Sequence, residues 1–176
     1  MLALFRSAFL MVALLLVAAH AQQLAALPGS AAIGSGSFRW FGLKLYDATL
    51  YAERDNFDAD NWAAAPLALE LAYARSLVGD KIAEASADEM KKLGVANAVQ
   101  LRTWEDEMKR VFPDVTDGTR LTGVYRPGQA TRFFRNGEAI GEIADPAFGP
   151  AFFAIWLHPS TSAPQLRAAL LGRRCC

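Results

Sequence analysis

The sequence predicts an α+β domain, an antiparallel sheet with its helices gathered on one face, and two observations carry that prediction. Strand-like and helix-like stretches come in blocks, strands then helices then strands then helices, where parallel βαβ units would alternate one by one. Three turn signals, Asp117-Gly118, Pro127-Gly128 and Asn136-Gly137, also space short apolar stretches too closely for crossover helices. No internal repeat is visible.

Arg6 precedes an apolar run from Ala8 to Ala19, too short for a bilayer, which takes about 20 residues. Ala19-His20-Ala21 follows with the small-x-small pattern of a cleavage site. The expectation is a signal peptide, residues 1–21, cut after Ala21 to leave a periplasmic or secreted protein with no stable membrane span; an uncleaved anchor is the competing reading. Residues 22–37, rich in Ala, Gly, Ser and Gln, read as a flexible leader, and Gly34-Ser35-Gly36 within them as a turn. The domain is expected over 38–172, with a tail at 173–176.

Lys44 and Tyr46 alternate onto the face continued by Ala48, Leu50 and Ala52, which suits either a pocket mouth or an ordinary strand entering the core. Asp47 lies between them and needs a partner if buried, or solvent. From Pro66 to Leu77 the period is two again, and Leu67, Leu69, Leu71, Tyr73, Arg75 and Leu77 share a face, so Arg75 points where leucines point. After Gly79 the period becomes helical through Ile82, Ala85, Met90 and Leu93. Ser86 and Glu89 have capping-box spacing that would divide this stripe in two, and Gly94 ends it. Leu101, Trp104, Met108 and Phe112 line a second helix, ended by Pro113. Strands are expected near 119–126, 129–135 and 138–143. A helix then carries Phe152, Ile155 and Trp156, its start disturbed by Pro150, and a last one runs from Ser162 to Gly172 with Gln165 at capping-box spacing.

Charge excludes one partner class. The chain has 18 basic and 18 acidic residues, and loss of Arg6 with the signal leaves 17 against 18 with no basic cluster, so nucleic acid is not an expected partner. Cys175 and Cys176 are the two cysteines, so no disulfide framework is expected. An adjacent terminal pair could be prenylated only in the cytosol, which the signal argues against. With His20 removed, His158 is the remaining histidine. A multi-histidine metal site is ruled out, a histidine-based triad would have to use it, and no P-loop or GxGxxG segment is present, so no cofactor or metal is expected.

What remains is a set of strand-borne Arg and Tyr residues. A small-molecule site needs apolar walls and a few fixed polar groups, and an arginine fork suits a carboxylate or phenolate. Arg39, Tyr46, Tyr73 and Arg75 are the candidate ligand-binding residues, with Arg75 or Arg39 for an anionic head and the tyrosines as hydrogen-bond donors. Trp104, Trp156 and the pairs Phe133/Phe134 and Phe152/Phe153 line a cavity or fill a core. The partner expected is a small apolar or aromatic anion.

Several segments also resemble the secreted bacterial branch of the chalcone isomerase-like family: Gly42 to Ala52, Leu67 to Arg75, Phe112-Pro-Asp-Val115, Asn136-Gly137, Asp145-Pro-Ala-Phe148, Ile155-Trp-Leu157 and Leu166 to Gly172. That family includes plant flavonoid-forming isomerases and fatty-acid-binding proteins. The resemblance implies an open-faced β-sandwich, a large antiparallel sheet covered by helices with a ligand cleft between. It places Tyr46 where fatty-acid-binding members carry a ligand-contacting Tyr and isomerases a Thr. It also puts the isomerases' substrate-holding strand arginine near Gly34, where this chain has none. Arg39 is an odd number of residues before Tyr46, so a bulge, for example at Gly42, is needed to bring them to one face. The leading expectation is a non-catalytic binder of an apolar anion such as a fatty acid. The alternatives are an intramolecular lyase using Arg39 and Tyr46 to orient a phenolate and stabilise an enolate, and a protein-interaction module.

Overall fold

A computed structural model describes residue 27 and residues 29–173. The expected signal peptide, most of the leader before β1, and Cys175 and Cys176 lie outside the described residues. Six antiparallel strands stand side by side in chain order: β1 (Ala31–Trp40), β2 (Leu43–Ala52), β3 (Leu67–Tyr73), β4 (Arg120–Tyr125), β5 (Thr131–Arg135) and β6 (Glu138–Ile143). Helices α1 (Gly79–Leu93) and α2 (Ala98–Val111) are inserted between β3 and β4, while α3 (Phe148–Leu157) and α4 (Pro164–Leu170) follow β6. The fold is thus α+β, an open antiparallel sheet with four described helices.

Period-two patterning decides which way the sheet faces. Leu67, Leu69, Leu71 and Tyr73 of β3 turn to the helices, across from Tyr125, Gly123 and Leu121 of β4. With Leu50, Phe133, Met90, Trp104 and the apolar α3 they form the main core. Helix α3 is apolar nearly all round and correspondingly buried between its neighbours. Ala68, Val124 and Phe134 point to the other face, where they meet Leu27 in a smaller cluster. Glu70 is buried on that face and pairs with Arg120, which supplies the charge that burial of a carboxylate demands.

Local signals account for the element ends. The Asn97 side chain accepts from the backbone N–H of Val99 and Gln100, both at 3.0 Å, and Gln100 Oε1 accepts from Asn97 N–H at 3.1 Å, a reciprocal capping box that starts α2. Gly94 takes φ 66° and closes α1. Asn136 and Gly137, with φ of 50° and 88°, make the expected hairpin turn between β5 and β6.

Five expectations are corrected. Residues 31–37 are not leader but most of β1, and Gly34 and Gly36 are strand residues rather than a turn. They are there for close packing: a Cβ on Gly34 would lie 2.1 Å from the Ala169 carbonyl oxygen of α4, and one on Gly36 would lie 3.0 Å from both the Ala169 Cβ and Leu166 Cδ1. Phe41 and Gly42 form a tight turn between β1 and β2, so Gly42 opens no bulge within a continuous strand. Helix α1 is unbroken, because Ser86 Oγ donates to the Ile82 carbonyl one turn back, at 2.8 Å, instead of capping a new helix. Strand β3 stops at Tyr73 and Arg75 falls in a bend, which ends the alternation that placed it beside leucines; Leu77 then makes a single bridge to Val115. Finally, α4 begins at Pro164 with no side-chain cap, since Ser162 is engaged elsewhere.

Candidate functional site

A cavity of about 590 Å³ lies between the inner face of the sheet and helices α1 and α3. Leu69, Leu71 and Leu121 from the sheet, with Phe112, Phe133 and Phe152, make its walls apolar. Its mouth is framed by the end of the β1–β2 hairpin (Arg39, Trp40), by α1 (Lys81, Asp88, Lys92) and by Ser162 in the α3–α4 connection. The volume falls within the range of small-molecule sites, roughly 300–1,000 Å³.

A bulge assembles the polar end. Phe38 pairs with Tyr46 and Arg39 with Lys44, which leaves Leu45 as an extra residue on β2. Around that irregularity Phe38, Arg39, Leu45 and Tyr46 all line the cavity, an arrangement that strict alternation forbids. The same extra residue separates Lys44 from the Tyr46 face. Lys44 instead reaches Asp47 at 2.5 Å, and Ser37 Oγ donates to Asp47 at 2.5 Å. Asp47 is therefore an exposed residue held below the usual carboxylate range by the Lys44 ammonium and the Ser37 hydroxyl.

Tyr46 sits at the centre of the site. Trp156 Nε1–H donates to its hydroxyl oxygen at 3.0 Å, Phe38 stacks on its ring at 5.2 Å, and Tyr73 meets it edge-on at 5.8 Å. Trp156 occupies an acceptor position of Tyr46, so the phenol O–H remains free to donate. The Tyr73 hydroxyl has no hydrogen-bond partner among the described residues and also lines the cavity. Burial pushes both phenols well above the ordinary tyrosine range; the indole bond opposes this at Tyr46 and the Glu89 charge adds to it, while at Tyr73 the second contribution comes from Tyr46. At neutral pH these are two uncharged O–H donors in an apolar chamber.

Glu89 closes the polar end from α1. Ser162 Oγ donates to it at 2.5 Å and Lys92 pairs with it at 2.6 Å. Burial pushes its carboxyl up, but the bonds from Lys92 and Ser162 outweigh that and hold it below the usual range, so it is an anion with its charge already answered. Lys81 is likewise paired with Glu84 at 2.6 Å. Arg39 is exposed, donates to the Gly42 carbonyl at 3.2 Å, and makes no ion pair among the described residues.

Of the four sequence candidates, Arg39, Tyr46 and Tyr73 come together around the cavity; Arg75 does not line it, because β3 has ended before it. The aromatic pairs divide between the two readings. Trp156, Phe133 and Phe152 line the cavity, whereas Trp104 is core, donating to Asp145 at 2.9 Å, and Phe134 belongs to the opposite face. His158 ends α3 and accepts from the Ser160 N–H at 3.0 Å, apart from the cavity lining. Among the described residues no cluster of His, Cys, Asp or Glu could hold a metal ion. Sequence reasoning missed Glu89 and Ser162 as site residues. Both were visible as capping-box members, and the absence of a helix end beside Ser86 was the missing signal.

Comparison with known proteins agrees with this architecture. No curated protein sequence matches the chain. Among solved structures, a crystal structure of a fatty-acid binding protein from Arabidopsis thaliana superposes with a TM-score of 0.61 at 13% identity, covering 82% of this chain and 88% of that one. The family model described as chalcone isomerase-like matches residues 33–172, starting inside β1 and ending just past α4. The chain belongs to the chalcone isomerase-like family.

Proposed function

We propose that this protein is a non-catalytic binder of a small apolar molecule with one anionic head, such as a fatty acid. One observation carries the reading: two neutral phenol donors, Tyr46 and Tyr73, are held edge-on to each other in a cavity with apolar walls, and neither O–H donates to another of the described residues. A carboxylate there accepts a hydrogen bond from each phenol, and its tail lies against the leucine and phenylalanine walls. Arg39 at the mouth supplies a positive charge without an ion-pair partner among the described residues. The fold shared with a fatty-acid binding protein supports the reading.

The alternative is an intramolecular lyase acting on a chalcone-like enone with Arg39 and Tyr46. Two features weigh against it. The sheet position that in the isomerases carries the substrate-holding arginine falls near Gly34, where α4 leaves no room for a side chain. The other cation, Arg39, is exposed at the rim, where water weakens its effect on a developing charge.

Native mass spectrometry of gently purified protein tests the proposal. A fatty-acid mass released on denaturation, or saturable binding of added oleate, supports it; an empty protein that ignores oleate and bleaches a chalcone catalytically sinks it. An exported location, with cleavage after Ala21, is part of the proposal, and N-terminal sequencing of the mature protein checks it.

A further inference from the structure

The β1–β2 hairpin ends in a tip that folding physics does not explain. Trp40, Phe41 and Leu43 are 58%, 90% and 54% exposed, while most large apolar side chains of the domain are buried or partly buried. Phe41 and Gly42 have φ of 47° and 79°, the positive values a type I′ turn requires. Asn-Gly is the favoured pair for such a turn, and this protein uses it at Asn136-Gly137. At 41 it holds a phenylalanine in a backbone region that bulky residues rarely occupy, with the ring in solvent. An apolar side chain that is strained and unburied is matched to something outside the domain.

We infer that the Trp40–Leu43 tip inserts into a lipid–water interface and sets the cavity mouth against that surface. Three features select this occupant. The patch is continuous with the cavity, because Trp40 belongs to the tip and also lines the mouth. The tip is small: its three side chains expose roughly 400 Å², about half the 800 Å² per partner of a stable protein interface, whereas a Trp/Phe/Leu cluster of that size is what an interfacial anchor uses. The surrounding charge is internally matched, with Lys44 paired to Asp47, Lys81 to Glu84 and Lys92 to Glu89. Arg39 lies beside the tip, its guanidinium donating to the Gly42 carbonyl, where it is placed to meet headgroup phosphates once the tip is inserted. Insertion is thus driven by aromatic burial, not by a basic patch. The inference rests on the reading of the cavity as an apolar-ligand site, for which the interface is donor or acceptor.

Flotation of the full chain with phosphatidylcholine vesicles, with and without phosphatidylglycerol, at low and high salt, tests it. Wild type should float with both compositions and lose little binding in high salt. Phe41→Asn should reduce flotation about tenfold or more, raise the thermal midpoint because Asn-Gly suits the turn, and leave oleate binding intact, since Phe41 does not line the cavity. Tyr46→Phe should float like wild type while binding oleate less well. Wild type that binds oleate but never floats overturns this inference and leaves the cavity reading standing; flotation without oleate binding does the reverse. Flotation that needs phosphatidylglycerol and vanishes in salt, or that Phe41→Asn leaves unchanged, also overturns it. So does a concentration-dependent dimer in sedimentation that Phe41→Asn abolishes, which would make the occupant a second copy of the chain.

Discussion

Replacing each cavity tyrosine by phenylalanine separates a structural hydroxyl from a binding one. Tyr46→Phe removes the acceptor of the buried Trp156 indole N–H. An orphaned buried donor costs about 1–3 kcal/mol, and at about 2–4 °C per kcal/mol for a domain of this size the empty protein should melt about 2–12 °C lower. Tyr73→Phe removes a hydroxyl with no partner among the described residues, so the empty protein should melt within about 1 °C of wild type. Against a carboxylate ligand the two variants should look alike, because each loses one hydrogen bond to a charged acceptor, about 1.5–3 kcal/mol or roughly 10- to 150-fold in Kd. Differential scanning fluorimetry without ligand and isothermal titration with oleate read the two effects independently. Tyr73→Phe with wild-type oleate affinity would refute the proposed head-group site. Equal melting of both variants would refute the role given to the Trp156 bond.

Further outcomes concern pH, packing and the arginines. Tyr46 and Tyr73 have folded pKa values raised above the ordinary 10.0 by burial, and Tyr51 and Tyr125 shift the same way. Their stabilisation is complete below pH 10 and is lost as pH rises past it, by up to about 1.4 kcal/mol per pH unit for each such group. Urea midpoints should therefore fall above about pH 10, less steeply in Tyr73→Phe, and a flat profile there would contradict the burial of these phenols. Gly34→Ala places a methyl against the Ala169 carbonyl and should cost about 1–3 kcal/mol or more, whereas Ser35→Ala on the exposed side should be neutral; a Gly34→Ala protein with wild-type Tm would mean that α4 does not pack there. Arg75→Ala should leave oleate affinity unchanged and Arg39→Ala should weaken it less than about tenfold, as expected for a solvated rim charge, with the reverse order restoring the sequence-based placement of Arg75.

Much of the sheet was legible because its signals are local. Alternation over Leu67 to Tyr73, the Asn136-Gly137 turn and the helical stripe through Met90 depend on neighbours a few residues away, and the structure keeps each of them. What escaped depends on tertiary partners. The hairpin at Phe41-Gly42 breaks the turn code, so a strand pair read as one strand, and β1 with its two glycines read as a leader because glycine there answers to α4, far along the chain. The bulge at Leu45 leaves no mark in the residues and yet decides that Tyr46, not Lys44, faces the cavity. Arg75 failed for the converse reason, since periodicity cannot show where a strand stops.

Strand pairing follows chain order everywhere, but one junction is unlike the others. Strands β3 and β4 are hydrogen-bonded neighbours separated by 46 residues, the stretch that contains α1 and α2. The other neighbouring strands are joined by shorter connections that can zip early, whereas this one must close a long loop before its bonds form. The cavity draws its walls from both sides of that junction, so it is complete only once β3 and β4 have paired. A molecule bound inside therefore holds the two halves together after assembly and has nothing to grip before it. Oleate should slow unfolding while leaving the refolding rate unchanged.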